Sequence, residues 1–491
     1  MSLMEQSSAD REHNQRLAAR LAVSWAEQRH LSEKLAAIES STAWAVARRL
    51  SQLRRRLCPE GSLRQRCFRL GIRGLRLWRR EGTAAVLKKT ASKLLGRFND
   101  TPVQSASQEV RLASPALGAG VRTSPGSEKC EFRVAFIGSS AACEAQSMRY
   151  RAHNIIQALA LVGLEGTFFS LEEVESNLPV ILSHDLIILV RLMHNHVTKM
   201  VIESARRLGL PIVYDIDDYL FDPWVMPYVE AFRALRQSDG LHILDEIGAC
   251  LHECEYFTGS TSYLAEKAAA LGKKSFVIHN GLNAIQLELA RQGREQRGPR
   301  DSIVRIGYFS GTRTHQADFR VVYPSLMLLL RERPEARLRI VGDLDLGEFP
   351  GLTPYLDQIE TIPLLKWTEL PTAMAQIDVN LIPLDLTPFN EGKSNLKYYE
   401  AGLLKVPSIA SPTRINRESI THGHNGLLAR TTEEWNDCLK DLMGDEERRA
   451  RMGENAFAHV LRYYAPRATA AEAVEVYRQI LRHHRSERSA A

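Results

Sequence analysis

Residues 391–411 read EGKSNLKYYEAGLLKVPSIAS. Two glutamates, two lysines, Ser394 and Asn395 run directly into VPSIA, which has the composition of a buried strand. Chemistry explains so much charge beside a core better than packing does. A helix starting at Ser394 and Asn395 would point its first backbone N–H groups at an anion, and its dipole would add to the attraction. Lys393 and Lys397 supply point charge to the same anion. The Glu400 carboxylate can accept from two vicinal hydroxyls at once. A group that carries both phosphate and a diol would use all of these. The plain alternative is a capped surface helix with solvated lysines.

Three other stretches carry chemistry-bearing side chains. PIVYDIDDYLFD (211–222) ends a strand in Asp215, Asp217 and Asp218. These acids could bond hydroxyls, pair with the arginines of SMRYRAHN (147–154), or hold a cation. Arg149, Arg151 and His153 follow the glycine loop of the first strand and are expected to face an anionic group. SGTRTHQADF (310–319) places Arg313 and His315 just after Gly311, with Asp318 as a hydrogen-bonding partner; for His315 the bland reading is a helix-start residue with no ligand. Cys250-Leu-His-Glu-Cys254 has no second Cys/His pair at zinc spacing and reads as an amphipathic helix, so no metal site is expected.

Strands and helices must position these groups. FRVAFIG (132–138), DLIILV (185–190), PIVYDIDD, Tyr256–Gly259 and SFVIH (275–279) alternate with helical segments. The alternation restarts with VRIGYFSG (304–311), ARLRIVGD (336–343), IETIPLL (359–365), DVNLIPL (378–384) and VPSIAS (406–411). Strands separated by helices predict parallel sheets covered on both faces. The expected class is α/β, with two Rossmann-like domains, and ligands in such sheets sit beyond the carboxyl ends of the strands.

The order VGD, DVNLIPL, charged turn, KYYEAGLLKVPSIAS resembles the second domain of glycosyltransferase family 4. SFVIHNGLN (275–283) is similar to that family's junction between domains, and THGHNGLLA (421–429) to its late glycine turn. The resemblance spans about residues 130–480. It implies a GT-B fold with a nucleotide sugar as donor substrate, no cofactor and no metal. It implies transfer to an acceptor hydroxyl with retained configuration; a glycan or lipid-linked acceptor would suit the basic N-terminal segment. Glu400 takes the place of the family's ribose-binding glutamate, and Lys397 matches the lysine three residues before it. The family's first glutamate falls on Gly392; Glu391 stands one residue early and is expected to take over its contact with the transferred sugar. Arg313 stands one place beyond the family's diphosphate arginine, with Lys393 or Lys397 in place of a missing lysine. Asp217 and Asp218 occupy the family's His-Asp position. Base contacts are expected around Ile362 to Trp367. A non-catalytic GT-B scaffold, or another nucleotide-sugar enzyme such as an epimerase, are the rival readings.

The expected organisation is a basic helical extension (1–98), a linker rich in Ser, Pro and Gly (99–129), an acceptor domain (130–300), a nucleotide-sugar domain (301–465) and a terminal helix crossing back to the first domain (466–491). Of the net charge of +6, residues 48–97 supply +14, with sixteen Lys/Arg against two Glu, so the rest of the chain is acidic. Seven scattered cysteines fit a reducing cytosol. No apolar run reaches the ~20 residues of a membrane span. A cytoplasmic protein on the inner face of a membrane is expected, serving surface polysaccharide or glycolipid synthesis. Arginines among Leu, Ile, Phe and Trp in 62–97 suit a lipid headgroup layer or packing on the enzyme body. No nucleic-acid motif accompanies them, and no nucleic-acid partner is expected. Leucines at steps of three and four in 10–57 suggest self-association through a short coiled coil. Vesicle sedimentation separates the readings of 48–97: the full chain is expected to pellet with anionic vesicles and a chain starting at 128 to remain in solution, and equal pelleting of both would remove the lipid reading.

Overall fold

The computed structural model describes residues 131–139, 146–298, 302–311 and 315–490. The expectations for 1–98 and 99–129, and the one for Arg313, fall outside the described residues.

Twelve strands among the described residues form two six-stranded parallel sheets. The first contains β1 (Arg133–Gly138), β2 (Glu165–Ser170), β3 (Leu186–Val190), β4 (Ile212–Ile216), β5 (Tyr256–Gly259) and β6 (Lys274–Val277), in the order β2-β1-β3-β4-β5-β6. The second contains β7 (Val304–Gly311), β8 (Ala336–Gly342), β9 (Ile359–Ile362), β10 (Val379–Ile382), β11 (Ser408–Ala410) and β12 (Leu427–Leu428), in the order β12-β11-β10-β7-β8-β9. Both are doubly wound Rossmann-type orders. Strand order reverses between β1 and β3 in the first and between β7 and β10 in the second, and crevices open at such reversals.

Helices cover both sheets. α1 (Asn154–Ala160) follows a π-helical turn, Arg149–His153. Next in the first lobe come α2 (Val174–Ile181), α3 (His196–Leu208), α4 (Gln237–Glu253) and α5 (Ser262–Ala270). α3 begins with an Asn195–Thr198 capping box and ends at Gly209, whose φ of +65° an L side chain would resist. α6 (Ala284–Glu295) leads to the second lobe, which holds α7 (Gln316–Glu332), α8 (Leu370–Ala375), α9 (Pro388–Glu391), α10 (Leu396–Gly402), α11 (Arg414–Ser419), α12 (Thr432–Gly444) and α13 (Glu446–Tyr463). α14 (Pro466–Ala490) is the last.

Two elements depart from their sequence neighbours. α6 lies within residues 130–300, yet its Ala290 is buried with Met374, Ala375 and Leu404 in a core of the second lobe. α14 follows the second lobe, yet Ala473, Val476, Tyr477 and Ile480 are buried with Val134, Ile155 and Leu159 in the core of the first. The two crossings touch at Gly281, where an added Cβ would lie 1.9 Å from Thr469 Oγ1. β6 stops at Val277 rather than reaching His279, because the His279 N–H is taken by Glu472 Oε2 at 2.9 Å.

The arginines of SMRYRAHN do not all face a ligand. Arg151 is fully buried, and its guanidinium grips Asp215 at 2.8 and 2.6 Å while its Nη1 donates to the Ile278 carbonyl and Asn280 Oδ1. Thr258 Oγ1 donates to the same Asp215 at 2.6 Å. This knot ties the ends of β4, β5 and β6 together. Removing one partner of a buried pair leaves the other charge without compensation. Arg151→Leu is therefore expected to cost roughly 3–5 kcal/mol, read as a lower urea midpoint; a loss below ~1 kcal/mol would show that water reaches Asp215.

Candidate functional site

The second lobe builds one wall where its strand order reverses. β7 ends at Gly311, with φ +74°, and β8 at Gly342, with φ +107°. A Cβ on Gly342 would lie 2.7 Å from the Gly311 N and O atoms, so only glycine allows the two strand ends to meet. The Asp343 N–H donates to the Gly311 carbonyl at 2.9 Å. His315 opens α7 and its Nδ1 lies 2.8 Å from Asp318 Oδ2. Asp318 Oδ1 accepts from the Asp385 N–H at 3.0 Å and Asn390 Nδ2 at 2.8 Å. One buried carboxylate thus fastens the loop after β7 to the loop after β10.

Two lysines face this carboxylate. The Lys397 ammonium is buried, with no hydrogen-bond partner among the described residues, and lies 5.3 Å from the centroid of Tyr308. Burial, helped by the charge of Lys393, pushes its pKa down to about 8, against the pull of Asp318 and Glu400. Lys393 sits 4.9 Å above the ring of Phe389. Burial and the two lysines push His315 down to about 4, so it is neutral at pH 7, with Asp318 assigning the ring proton to Nδ1. Asp318 would rise through burial, but His315, Lys393 and the Asp385 N–H hold it below the usual carboxylate range.

Glu400 closes the wall. Its Oε1 accepts from Tyr150 Oη of the first lobe at 2.7 Å. Burial raises its pKa, against the Tyr150 hydrogen bond and the charges of Arg149 and Lys397. Beside it lies a small cavity lined by Leu282, Gln286, Trp367, Pro371, Met374 and Leu404. Arg149 lies 4.8 Å over the Trp367 ring. Ser394 Oγ accepts from Asn280 Nδ2 at 3.0 Å, a second bond between the lobes.

Several expected roles are altered. Asn395 is buried, and its amide is spent on Ser419 Oγ at 2.8 Å and Tyr464 Oη at 2.7 Å, so it anchors the start of α10 rather than reaching the cleft. α10 spans only seven residues, so the lysines rather than the helix end supply the positive field. Glu391 Oε2 accepts from the Arg414 N–H at 2.7 Å and caps α11. Gly392 touches the first lobe: a Cβ there would lie 2.9 Å from Tyr219 Cβ and 3.0 Å from Leu264 Cδ2. A glutamate at 392 has no room, which is the physical reason for the displaced acid.

Asp217 and Asp218 belong to a charge network. Arg191 Nη1 lies 3.2 Å from Asp217 Oδ1 and 2.9 Å from Asp218 Oδ2, and donates to Ser147 Oγ at 2.9 Å. The cation between these two carboxylates is a guanidinium. Burial and the charge of Asp218 raise Asp217. Burial would raise Asp218 too, but Arg191 and, across the cleft, Lys393 pull it down. Arg191 follows β3 with φ +49°, a strained conformation for a side chain of its size. It went unnoticed in the sequence, where the only signal is an arginine placed directly after LIILV.

Residues 324–475 match the model of a family described as "Glycosyl transferase-like". HepE from Anabaena, solved in complex with UDP, is similar in structure at 14% identity, covering 71% of this chain and all of that one, with a TM-score of 0.51. The fold is GT-B. A sucrose-phosphate synthase from Thermosynechococcus elongatus is 16% identical over 72% of this chain and all of that one, with a TM-score of 0.49. No curated protein matches the chain in sequence. In this GT-B pair, β7 and β10 of the second lobe and β1 and β3 of the first bring their ends to the groups described above.

Lys397 gives a pH test. Its folded pKa of about 8 lies below the 10.5 of a free lysine. Between those values the unfolded chain binds more protons, so this group makes stability rise with pH across that window and exacts its full penalty below it. Lys397→Met is expected to be more stable than the native chain at pH 7, by on the order of 1 kcal/mol after solvent screening. The gain should shrink from pH 8 towards pH 10.5 in urea titrations; a destabilised variant at pH 7 would refute it.

Proposed function

We propose that this chain transfers a glycosyl group from a nucleoside-diphosphate sugar to an acceptor hydroxyl. One observation carries the reading: a buried ammonium without a partner, Lys397, stands one helical turn from a carboxylate, Glu400, at the strand reversal of a Rossmann sheet. A diphosphate would satisfy the first and a ribose diol the second. Lys393 adds charge to the same side. HepE holds UDP on the same fold, which makes UDP the first nucleotide to try.

In the reaction, the bond from the sugar's anomeric carbon to the diphosphate oxygen breaks. The acceptor oxygen bonds that carbon, and the acceptor proton passes to an oxygen of the departing phosphate. Lys397 and Lys393 stabilise the charge that develops on the leaving group. Asp217 and Asp218 are tied to Arg191 and Glu391 to the Arg414 N–H, so none is placed as a free nucleophile. That supports front-face transfer with retained configuration. The Arg191 network would then bond acceptor hydroxyls. No helix among the described residues is long and apolar enough to cross a membrane. A glycan or lipid-linked acceptor, presented at a surface that meets residues 48–97, fits the charge of that segment.

A second reading, nucleotide-sugar binding without turnover, is favoured by Glu391 alone, which is occupied as a cap. A thermal-shift screen of UDP, GDP, ADP and dTDP sugars decides the first step. At a hundredfold excess over Kd the right donor should add about 2.7 kcal/mol of stability, and Glu400→Ala should lose most of that gain. Stabilisation by no nucleotide sugar would end the proposal, and binding with no product on any glycan acceptor would favour the second reading.

A further inference from the structure

We propose that Tyr150 of the first lobe is a positioning residue for the donor, setting the Glu400 carboxylate in the orientation that receives the ribose hydroxyls. The inference rests on the ribose reading of Glu400 and adds a residue from the opposite lobe to that site.

The geometry is specific. Tyr150 is fully buried, and its hydroxyl stands between two partners from the second half of the cleft. Gln286 Nε2 donates to it at 2.8 Å, and it donates to Glu400 Oε1 at 2.7 Å. With a lone pair filled by Gln286, the phenol proton is committed to the carboxylate. Gln286 is itself fixed, its Oε1 accepting from the Asn283 N–H at 3.1 Å and from Asn154 Nδ2 at 3.3 Å. The Tyr150 ring is held edge-on to Tyr399 at 6.3 Å, and the Arg149 guanidinium lies 5.2 Å from its centroid. The residue sits on the π turn Arg149–His153, an irregularity often found at functional sites.

A carboxylate turns easily about its last bond, and a diol needs its plane fixed. Tyr150 pins Oε1 and leaves Oε2, with the remaining lone pair of Oε1, directed away from the phenol. Packing alone does not require the hydroxyl: a phenylalanine ring would fill the same space in the apolar cluster of Leu282, Tyr398 and Tyr399. The oxygen is there for Glu400. Because the two residues belong to different lobes, the carboxylate is oriented only while the lobes are together. Donor recognition is thereby coupled to closure.

The test compares full-length native chain, Tyr150→Phe and Glu400→Gln. The probes are whichever of UDP, GDP and ADP binds most tightly, its 2′,3′-dideoxy form, and inorganic pyrophosphate. The native chain should prefer the ribose form. Tyr150→Phe should weaken it by roughly 2- to 12-fold, the worth of one ordinary hydrogen bond, shrink the preference over the dideoxy form, and leave pyrophosphate within about twofold. Pyrophosphate weakened as much as the nucleotide would reveal a merely structural role and overturn the proposal. So would a native preference in Tyr150→Phe alongside a lost preference in Glu400→Gln. A native preference in Glu400→Gln would instead bring down the ribose reading, and this inference with it. Should Tyr150→Phe fail to fold because Gln286 Nε2 is left without its acceptor, the double variant Tyr150→Phe/Gln286→Leu carries the test, since it removes both buried partners together, and an unchanged preference would again overturn the proposal.

Discussion

A buried ammonium with no acceptor among the described residues is the constraint that organises the cleft. Lys397 Nζ has no hydrogen-bond partner, and the nearest groups form an enclosure around it rather than a pair with it. Tyr308 offers a ring face, Asp318 is already shared among His315, Asp385 and Asn390, and Glu400 is engaged by Tyr150. Each neighbouring anion is spent elsewhere. Folding therefore leaves a positive centre that an incoming anion can satisfy at little cost in rearrangement, since the surrounding groups are already hydrogen-bonded to one another.

The first lobe answers with two sets of ion-paired groups. Arg151 and Asp215 join the ends of three strands, and Asn280, bonded to that arginine, also reaches Ser394. One continuous chain of hydrogen bonds thus runs from the buried pair of one lobe to the loop ahead of α10 in the other. A second set, Arg191 with Asp217, Asp218 and Ser147, occupies the mouth of the β1–β3 crevice, with backbone strain stored at Arg191. The two sets differ in character: the first is sealed and structural, the second half-open and available to hydroxyls.

Much of the fold was legible because parallel strands buried on both faces read as continuous apolar runs. VRIGYFSG coincides with β7 and LIILV with β3. β2 escaped notice because EGTFFS is an edge strand, half-exposed and with a weak apolar signal. The ends of strands announced the wall carrying His315, Lys393, Lys397 and Glu400, since strand position and residue type both mark them. Partners distant in sequence were not legible. Nothing near Glu391 says that its carboxylate caps α11, because the cause lies in Tyr219 and Leu264 closing on Gly392. Asn395 looks like a ligand residue until Tyr464, 69 positions on, is seen to take its amide. Arg191 and Tyr150 act through a left-handed backbone and a π turn, conformations that residue type alone does not encode.

The placement of α14 carries a consequence for biosynthesis. Ala473, Tyr477 and Ile480 fill the core of the first lobe, yet they are made after the whole of the second. Translation runs from the amino end, and domains usually fold as they emerge. The first lobe therefore keeps an open flank over Val134, Ile155 and Leu159 until residues 466–490 have been made, and a cut ahead of α14 would spare the core of the second lobe while opening that of the first.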